Sequence, residues 1–291
     1  MKLFALCLLA LSSLTFAEPV DKVQFKVPEA YNQERIVTFN WTLKNDSGRF
    51  LKDTSFTVYA PVALTAFQAC QSIEADRKFK LSKDNYQNQL LTFNIARFAP
   101  YQTLTIRIKS LVKLSKKPQP IALLPADFLA PSTHIQSTAK PVRQHLSRLP
   151  EAASQARATY NWLTGNMKKT AYQAKDLGAV QALLHKKGDC SEFASLFAAL
   201  NRAAAVPTQY LSGYYCPENT ALKSGKYHNA NFFYTNESWH FADSHHKNFK
   251  ESHDQFIVFT VHGGKSEDIM QNNYRYLLKG EGTEKLKIFM K

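Results

Sequence analysis

One short stretch limits what this chain can fold into more than any other: Gly188-Asp189-Cys190-Ser191-Glu192-Phe193-Ala194. Phe193, Phe197, Leu200 and Ala204 recur at spacings of three and four, the period of a helix with one apolar face. Asp189 is a favoured N-cap, and Glu192 three residues on completes a capping-box pattern. Gly188 permits the tight entry that a turn into a helix often needs. Cys190 then lies on the first helical turn, where unpaired N–H groups and the helix dipole favour a thiolate and are expected to lower its pKa. A cysteine so placed is equipped to act as a nucleophile. The alternative is a small buried residue that packs the helix start, the commoner fate of a lone cysteine.

The residues downstream favour the nucleophile. His228-Asn229-Ala230-Asn231-Phe232-Phe233-Tyr234 alternates, Thr235-Asn236-Glu237-Ser238 is a polar turn, and Trp239-His240-Phe241-Ala242-Asp243 follows. This reads as a β-hairpin. A symmetric turn sets Tyr234 opposite Trp239 and His228 opposite His245, so Asp243 is the diagonal neighbour of His228 on one face. A cysteine at a helix N-terminus, with His and Asp on adjacent strands, is a Cys190/His228/Asp243 triad arrangement.

Lys187 to Ala194, Ala198-Ala199-Leu200-Asn201-Arg202-Ala203, Val206-Pro207 and Ser212-Gly213-Tyr214 together resemble the core of the transglutaminase-like superfamily. His228 and the Trp239…Asp243 pair stand where that family keeps its His and Asp, and Ala158 to Leu163 resembles its lead-in helix. The resemblance covers roughly residues 150–250 and implies a papain-like α+β core with a Cys-His-Asp triad. Two positions depart from the pattern: Ala205 stands where the family usually has Gly, and Ala230 where it usually has Trp. Those changes bear on substrate-side contacts more than on the triad.

Upstream the pattern is β. Val37, Phe39, Trp41 and Leu43 alternate with polar residues up to the turn signal Asn45-Asp46-Ser47-Gly48; Phe56 to Ala60, Leu91 to Ile95 and Leu104 to Ile108 read as further strands. Short strands separated by turns predict an antiparallel sandwich. The order Pro61, Gln68, Pro100 resembles the immunoglobulin-like module that often precedes transglutaminase-like domains in exported bacterial proteins. Residues 116–150 are proline-rich, which argues for a linker or a strap along both domains. Helices are expected over 151–165, 176–186 and from Cys190, followed by strands from Gln209, His228, Phe256 and Leu286. The expected organisation is thus a leader over 1–17, a β-sandwich over 18–115, a linker over 116–150 and a transglutaminase-like domain over 151–291.

Residues 1–17 have a short basic start, an apolar run from Leu3 and Ala17 ahead of Glu18-Pro19, the pattern of a secretory signal peptide cut after Ala17. The run is too short for a membrane span. The expected location is periplasmic or secreted. Three cysteines follow, Cys70, Cys190 and Cys216; in an oxidising compartment, Cys70 with Cys216 is the pairing that leaves Cys190 free. The formal net charge is +14, to which residues 1–17 add only Lys2, and this could draw the protein to an anionic cell-envelope component. The basic residues are scattered rather than interleaved with aromatics, which argues against nucleic acid as a partner.

Three function classes follow. The first is an exported acyl-transfer enzyme acting on amide bonds of a protein or peptide substrate through a thioester, as peptidase, amidase or transglutaminase, with no cofactor. The second is a catalytically inactive transglutaminase-like module that binds a peptide or cell-envelope glycan, with Tyr214, Tyr215, Phe232, Phe233 and Tyr234 available to line a groove or fill a core. The third is metal binding by His228, His240, His245, His246, His253 and Asp243, a set whose spacing matches no metal motif, so no metal is expected.

Overall fold

The computed structural model describes residues 21–173, 175–263 and 275–291. The leader expectation for 1–17 therefore lies outside the described residues. The chain runs β1 (Asp21–Gln24), β2 (Gln33–Asn45), β3 (Leu51–Ala60), β4 (Gln68–Ala75), β5 (Lys80–Lys83), β6 (Gln89–Phe98) and β7 (Thr103–Leu114). The helices α1 (Lys140–Leu146), α2 (Gln155–Asn166), α3 (Gly178–His185) and α4 (Cys190–Ala203) come next, with the short strands β8 (Lys168–Lys169) and β9 (Lys187–Gly188) among them. The remainder is β10 (Thr208–Tyr215), β11 (Thr220–Ala221), β12 (Tyr227–Thr235), β13 (Ser238–Asp243), β14 (Asn248–Phe249), β15 (Phe256–His262), β16 (Tyr276–Lys279) and β17 (Leu286–Met290).

The N-terminal strands make two sheets, β1-β4-β7-β2-β11 and β16-β3-β6-β5, that share one apolar core. The alternation read from sequence sets its inward face: Val37, Phe39, Trp41 and Leu43 on β2, and Phe56 and Val58 on β3, are all buried. The turn after β2 is tied by Asn45, whose Nδ2 donates to the carbonyls of Arg49 and Ala99, each at 2.8 Å. The fold is α+β: this antiparallel sandwich precedes helices packed on a second antiparallel sheet, β14-β13-β12-β10-β15.

β17, grouped by sequence with 151–291, pairs with β2, and β16 pairs with β3, so the chain end completes both N-terminal sheets. Both strands are apolar enough to prolong the sandwich core, and Met290 is buried in it. The proline-rich 116–150 stretch also contains a helix: Pro141 sits in the first turn of α1, where a missing N–H costs nothing. The proposed Cys70–Cys216 disulfide is not formed. Both are free, buried thiols in the sandwich core, and burial pushes each pKa up to about 12.

Two buried amides join the halves. Gln68 donates from Nε2 to the Val258 carbonyl at 3.0 Å and accepts the Val258 N–H at 2.7 Å. Asn88 does the same for Val261, at 2.9 and 2.7 Å. Each amide satisfies a backbone pair of the edge strand β15 as a neighbouring strand would. The site-bearing sheet is thereby locked to the sandwich. Among the described residues no helix is long and apolar enough to cross a membrane.

Candidate active site

The start of α4 forms as its sequence requires. Asp189 Oδ1 accepts the Ser191 N–H at 2.8 Å, and Glu192 Oε2 accepts the Asp189 N–H at 3.0 Å, closing the capping box. The second oxygen of each carboxylate is used as well. Asp189 Oδ2 accepts the Gln173 N–H and Glu192 Oε1 the Leu177 N–H, which fastens the preceding loop to the helix start. Gly188 is needed for a steric reason, since a Cβ there would lie 2.2 Å from the Glu192 Cβ. Cys190 is thus held at the first helical position, partly buried, with its sulfur turned to β12.

The hairpin register is the one read from sequence, with Tyr234 opposite Trp239 and Asn231 opposite Ala242. The strand end brings His228 Nε2 to 2.8 Å from Asp243 Oδ2, and both side chains are buried. Sequence reasoning missed two further partners of that oxygen. Tyr215, on β10, donates its hydroxyl to Oδ2 at 2.7 Å, and His246 lies 3.1 Å from it through Nδ1, while the His246 backbone N–H bonds Oδ1 at 2.9 Å. Burial works against the Asp243 carboxylate, but the hydrogen bonds from His228, His246 and Tyr215, with the His228 charge, hold its pKa far below the usual range. Burial and the Asp243 charge push the Tyr215 hydroxyl far up, so it remains a donor. The His246 ring stacks on His228 at 4.1 Å between centroids. No pattern in the sequence marked Tyr215, because it reaches Asp243 on β13 across one intervening strand, β12.

The sulfur of Cys190 meets β12 at Asn229, the residue next to His228. Asn229 Nδ2 lies 3.8 Å from Sγ and donates to Ser191 Oγ at 2.9 Å. The expected low thiol pKa is not found in this resting arrangement. Burial, followed by the charge of the N-cap Asp189, pushes the Cys190 thiol up to about 12, and the backbone N–H groups of Asn229 and Cys190 offset this only in part. The capping carboxylate that fixes the helix start opposes the charge that the helix dipole favours.

A cleft of about 390 Å³ opens beside Cys190, lined among others by Thr170, Tyr172, Tyr227, Asn229, His245 and Arg275. A second, of about 530 Å³, lies by His228 and His246 and shares Gly225 and Tyr227 with the first. Of the aromatics offered for a groove, Tyr214, Phe232 and Phe233 are core residues, and Tyr215 borders the second cleft. His228, His245 and His246 offer nitrogens within 4.8 Å of one another, a possible metal-ligand set by distance. One nitrogen of His228 and one of His246 is already bonded to Asp243, and the two rings stack on each other. His240 and His253 lie apart from this group, bonded to the Thr235 and Lys116 carbonyls. Ala205, at the position where the family usually has Gly, adopts φ 58°, the left-handed conformation that accounts for a glycine there. Ala230 is buried against Phe232 and its neighbours.

Residues 139–244 match the model of the transglutaminase-like superfamily core. The chain carries a transglutaminase-like domain. No curated protein sequence matches it. Among solved structures, a protein from Cytophaga hutchinsonii, described as a candidate cysteine protease, superposes with a TM-score of 0.60 at 14% identity, covering 94% of this chain and 91% of that one. The fold is therefore shared over both halves, sandwich and transglutaminase-like domain together. The periplasmic domain of TgpA from Pseudomonas aeruginosa, bound to ethylmercury, is more distant, with a TM-score of 0.34 at 13% identity over 75% of this chain and 92% of that one.

Proposed function

We propose that this protein is an exported thiol enzyme that cleaves amide bonds of a protein or peptide substrate, with Cys190 as nucleophile, His228 as acid–base and Asp243 as the group that orients His228. The observation that carries the reading is the buried His228–Asp243 hydrogen bond, 2.8 Å, on the strand whose next residue, Asn229, meets a cysteine held on the first turn of a capped helix. The transglutaminase-like core and a fold neighbour described as a candidate cysteine protease support a cysteine-type enzyme in general terms.

The chemistry follows from the hydrogen bonds. Asp243 accepts a hydrogen bond from Nε2–H of His228 and stays ionised, which leaves Nδ1 to accept the thiol proton. Because the resting thiol is neutral, proton transfer to His228 accompanies attack on the substrate carbonyl. The sulfur–carbon bond forms, and the C=O π pair moves to oxygen. Collapse expels the amine, which takes the proton from His228, and leaves a thioester. Water resolves the thioester in a hydrolase; an amine resolves it in a transglutaminase. The cleft beside Cys190 is the place for the acyl group.

The test is acyl transfer from casein, with water and with a fluorescent primary amine as acceptors, in the residue 18–291 protein. The Cys190→Ala variant should have no activity with either acceptor. Activity equal to wild type in that variant ends the proposal, and the ratio of the two products in wild type separates hydrolysis from transamidation.

A further inference from the structure

On the side of β12 that faces α4, a chain of buried polar side chains runs from the Cys190 sulfur into the sheet. Asn229 Nδ2 stands 3.8 Å from Sγ. Its other end, Oδ1, accepts the Ser212 hydroxyl at 2.7 Å, and Ser212 Oγ lies 2.9 Å from His262 Nε2. All three residues are at least nine-tenths buried: Ser212 is 2% exposed, Asn229 7% and His262 8%. A serine hydroxyl has one hydrogen, so with that hydrogen on Asn229, Ser212 must accept from His262. The direction of the relay fixes the amide: carbonyl toward Ser212, NH₂ toward the helix start.

An NH₂ group has two hydrogens. Ser191 Oγ takes one at 2.9 Å, and the other is left at the sulfur. A neutral thiol is a poor acceptor, and a buried donor served by so weak a partner is costly unless a better one arrives. When Sγ adds to a carbonyl carbon, the oxygen that becomes negative lies one carbon from the sulfur, within reach of that hydrogen. The N–H of Cys190 has no carbonyl inside the helix to pair with and acts on the same sulfur.

We infer that Asn229 is the second oxyanion donor of this site, with Ser212 and His262 as the positioning residues that hold its amide. The inference rests on the reading of Cys190 as an acyl-transfer nucleophile. It adds a group that acts only after the nucleophile has attacked. The donor comes from the strand that carries His228, one residue away on the opposite face, so one element supplies both the proton acceptor and the oxyanion contact.

Two reactions of the same sulfur separate this role from the others. Acylation by 4-nitrophenyl acetate passes through a tetrahedral oxyanion and releases nitrophenolate. Alkylation by iodoacetamide displaces iodide and forms no oxyanion. In the residue 18–291 protein, Asn229→Ala should slow nitrophenolate release by about 10²- to 10³-fold, the loss typical of one oxyanion donor, while alkylation of Cys190 stays close to the wild-type rate. Ser212→Ala, which keeps the amide but frees it to rotate, should lose part of the acylation rate and none of the alkylation rate; it serves if the Asn229 variant does not melt as a folded protein. Equal acylation in wild type and Asn229→Ala overturns the inference, and so does an equal fall of both reactions in both variants. Nitrophenolate release that survives in Cys190→Ala removes the nucleophile itself, a different failure from the first.

Discussion

The two faces of β12 handle the chemistry differently. One presents His228 to Asp243, His246 and Tyr215, a cluster whose partners bear or exchange charge. The other presents Asn229 and Asn231 to α4, where amides meet the sulfur, a hydroxyl and the Ala194 carbonyl. Strand alternation alone produces this division, because residues 228 and 229 must point to opposite sides. In the proposed reaction His228, on one face, receives and returns the proton, while the other face supplies fixed dipoles that need no proton. Damage to the first face should alter the reaction's response to pH; damage to the second should alter its rate at every pH.

The largest expected effect falls on the charged face. His228→Ala should lower acyl transfer by about 10²- to 10⁴-fold and, unlike Asn229→Ala, slow iodoacetamide labelling of Cys190 as well, since the thiol then has no base. Rates of both reactions on the two variants give the check. If His228→Ala labels as fast as wild type, the charged face does not act on the sulfur and the division fails.

Next is the pH course of the labelling itself. A thiol pushed up to about 12 has almost no thiolate at neutral pH, so wild-type alkylation should be slow below pH 7 and climb to pH 9 without levelling. Mapping the alkylated cysteine by mass spectrometry along that range measures it. A plateau already reached at acidic pH would mean a standing thiolate–imidazolium pair, with the dipole of α4 outweighing burial and Asp189.

Tyr215→Phe is a milder cut. It removes one of the donors that hold Asp243 ionised, and a hydrogen bond to a charged group contributes about 1.5–3 kcal/mol. Urea unfolding at pH 7 should show a loss of that order, with the His228 and His246 contacts retained. No loss would mean that the hydroxyl is as well satisfied by water.

Much of this was legible in the sequence because local rules governed it. The capping box, the position of Cys190, the hairpin register and the His228–Asp243 diagonal each follow from spacing within a few residues. What was not legible depends on long separations. Gln68 bonds Val258 across 190 positions, and β17 closes on β2 from the far end of the chain. Tyr215 and the Ser212–His262 contact join strands whose neighbours are set only by sheet order, β13-β12-β10-β15. The thiol pKa was misread for another reason: the motif shows the dipole but not the depth of burial, nor that the capping Asp189 lies close enough to oppose a negative sulfur.

The smallest effect tests whether the charged face, and not the protein at large, carries a pH response. His245, which lines the cleft beside Cys190, has its pKa lowered from 6.5 to about 4, first by burial and then by the charges of His228, Lys169 and His246. Between those values the unfolded chain binds a proton that the folded chain refuses, so acidification from pH 6.5 toward 4 destabilises the fold and brings no further loss from this group below that. Asp243 acts in a separate window: its folded pKa is depressed, so its contribution holds above the ordinary carboxylate value near 3.9 and fades only below it. His145 and His240 are also lowered by burial and slope the same way as His245, so the measurement is a difference. His245→Gln should lose less Tm than wild type between pH 6.5 and 4.5 and run parallel to it above pH 7. Parallel curves throughout would place the pH response elsewhere and leave the charged face to the reaction alone.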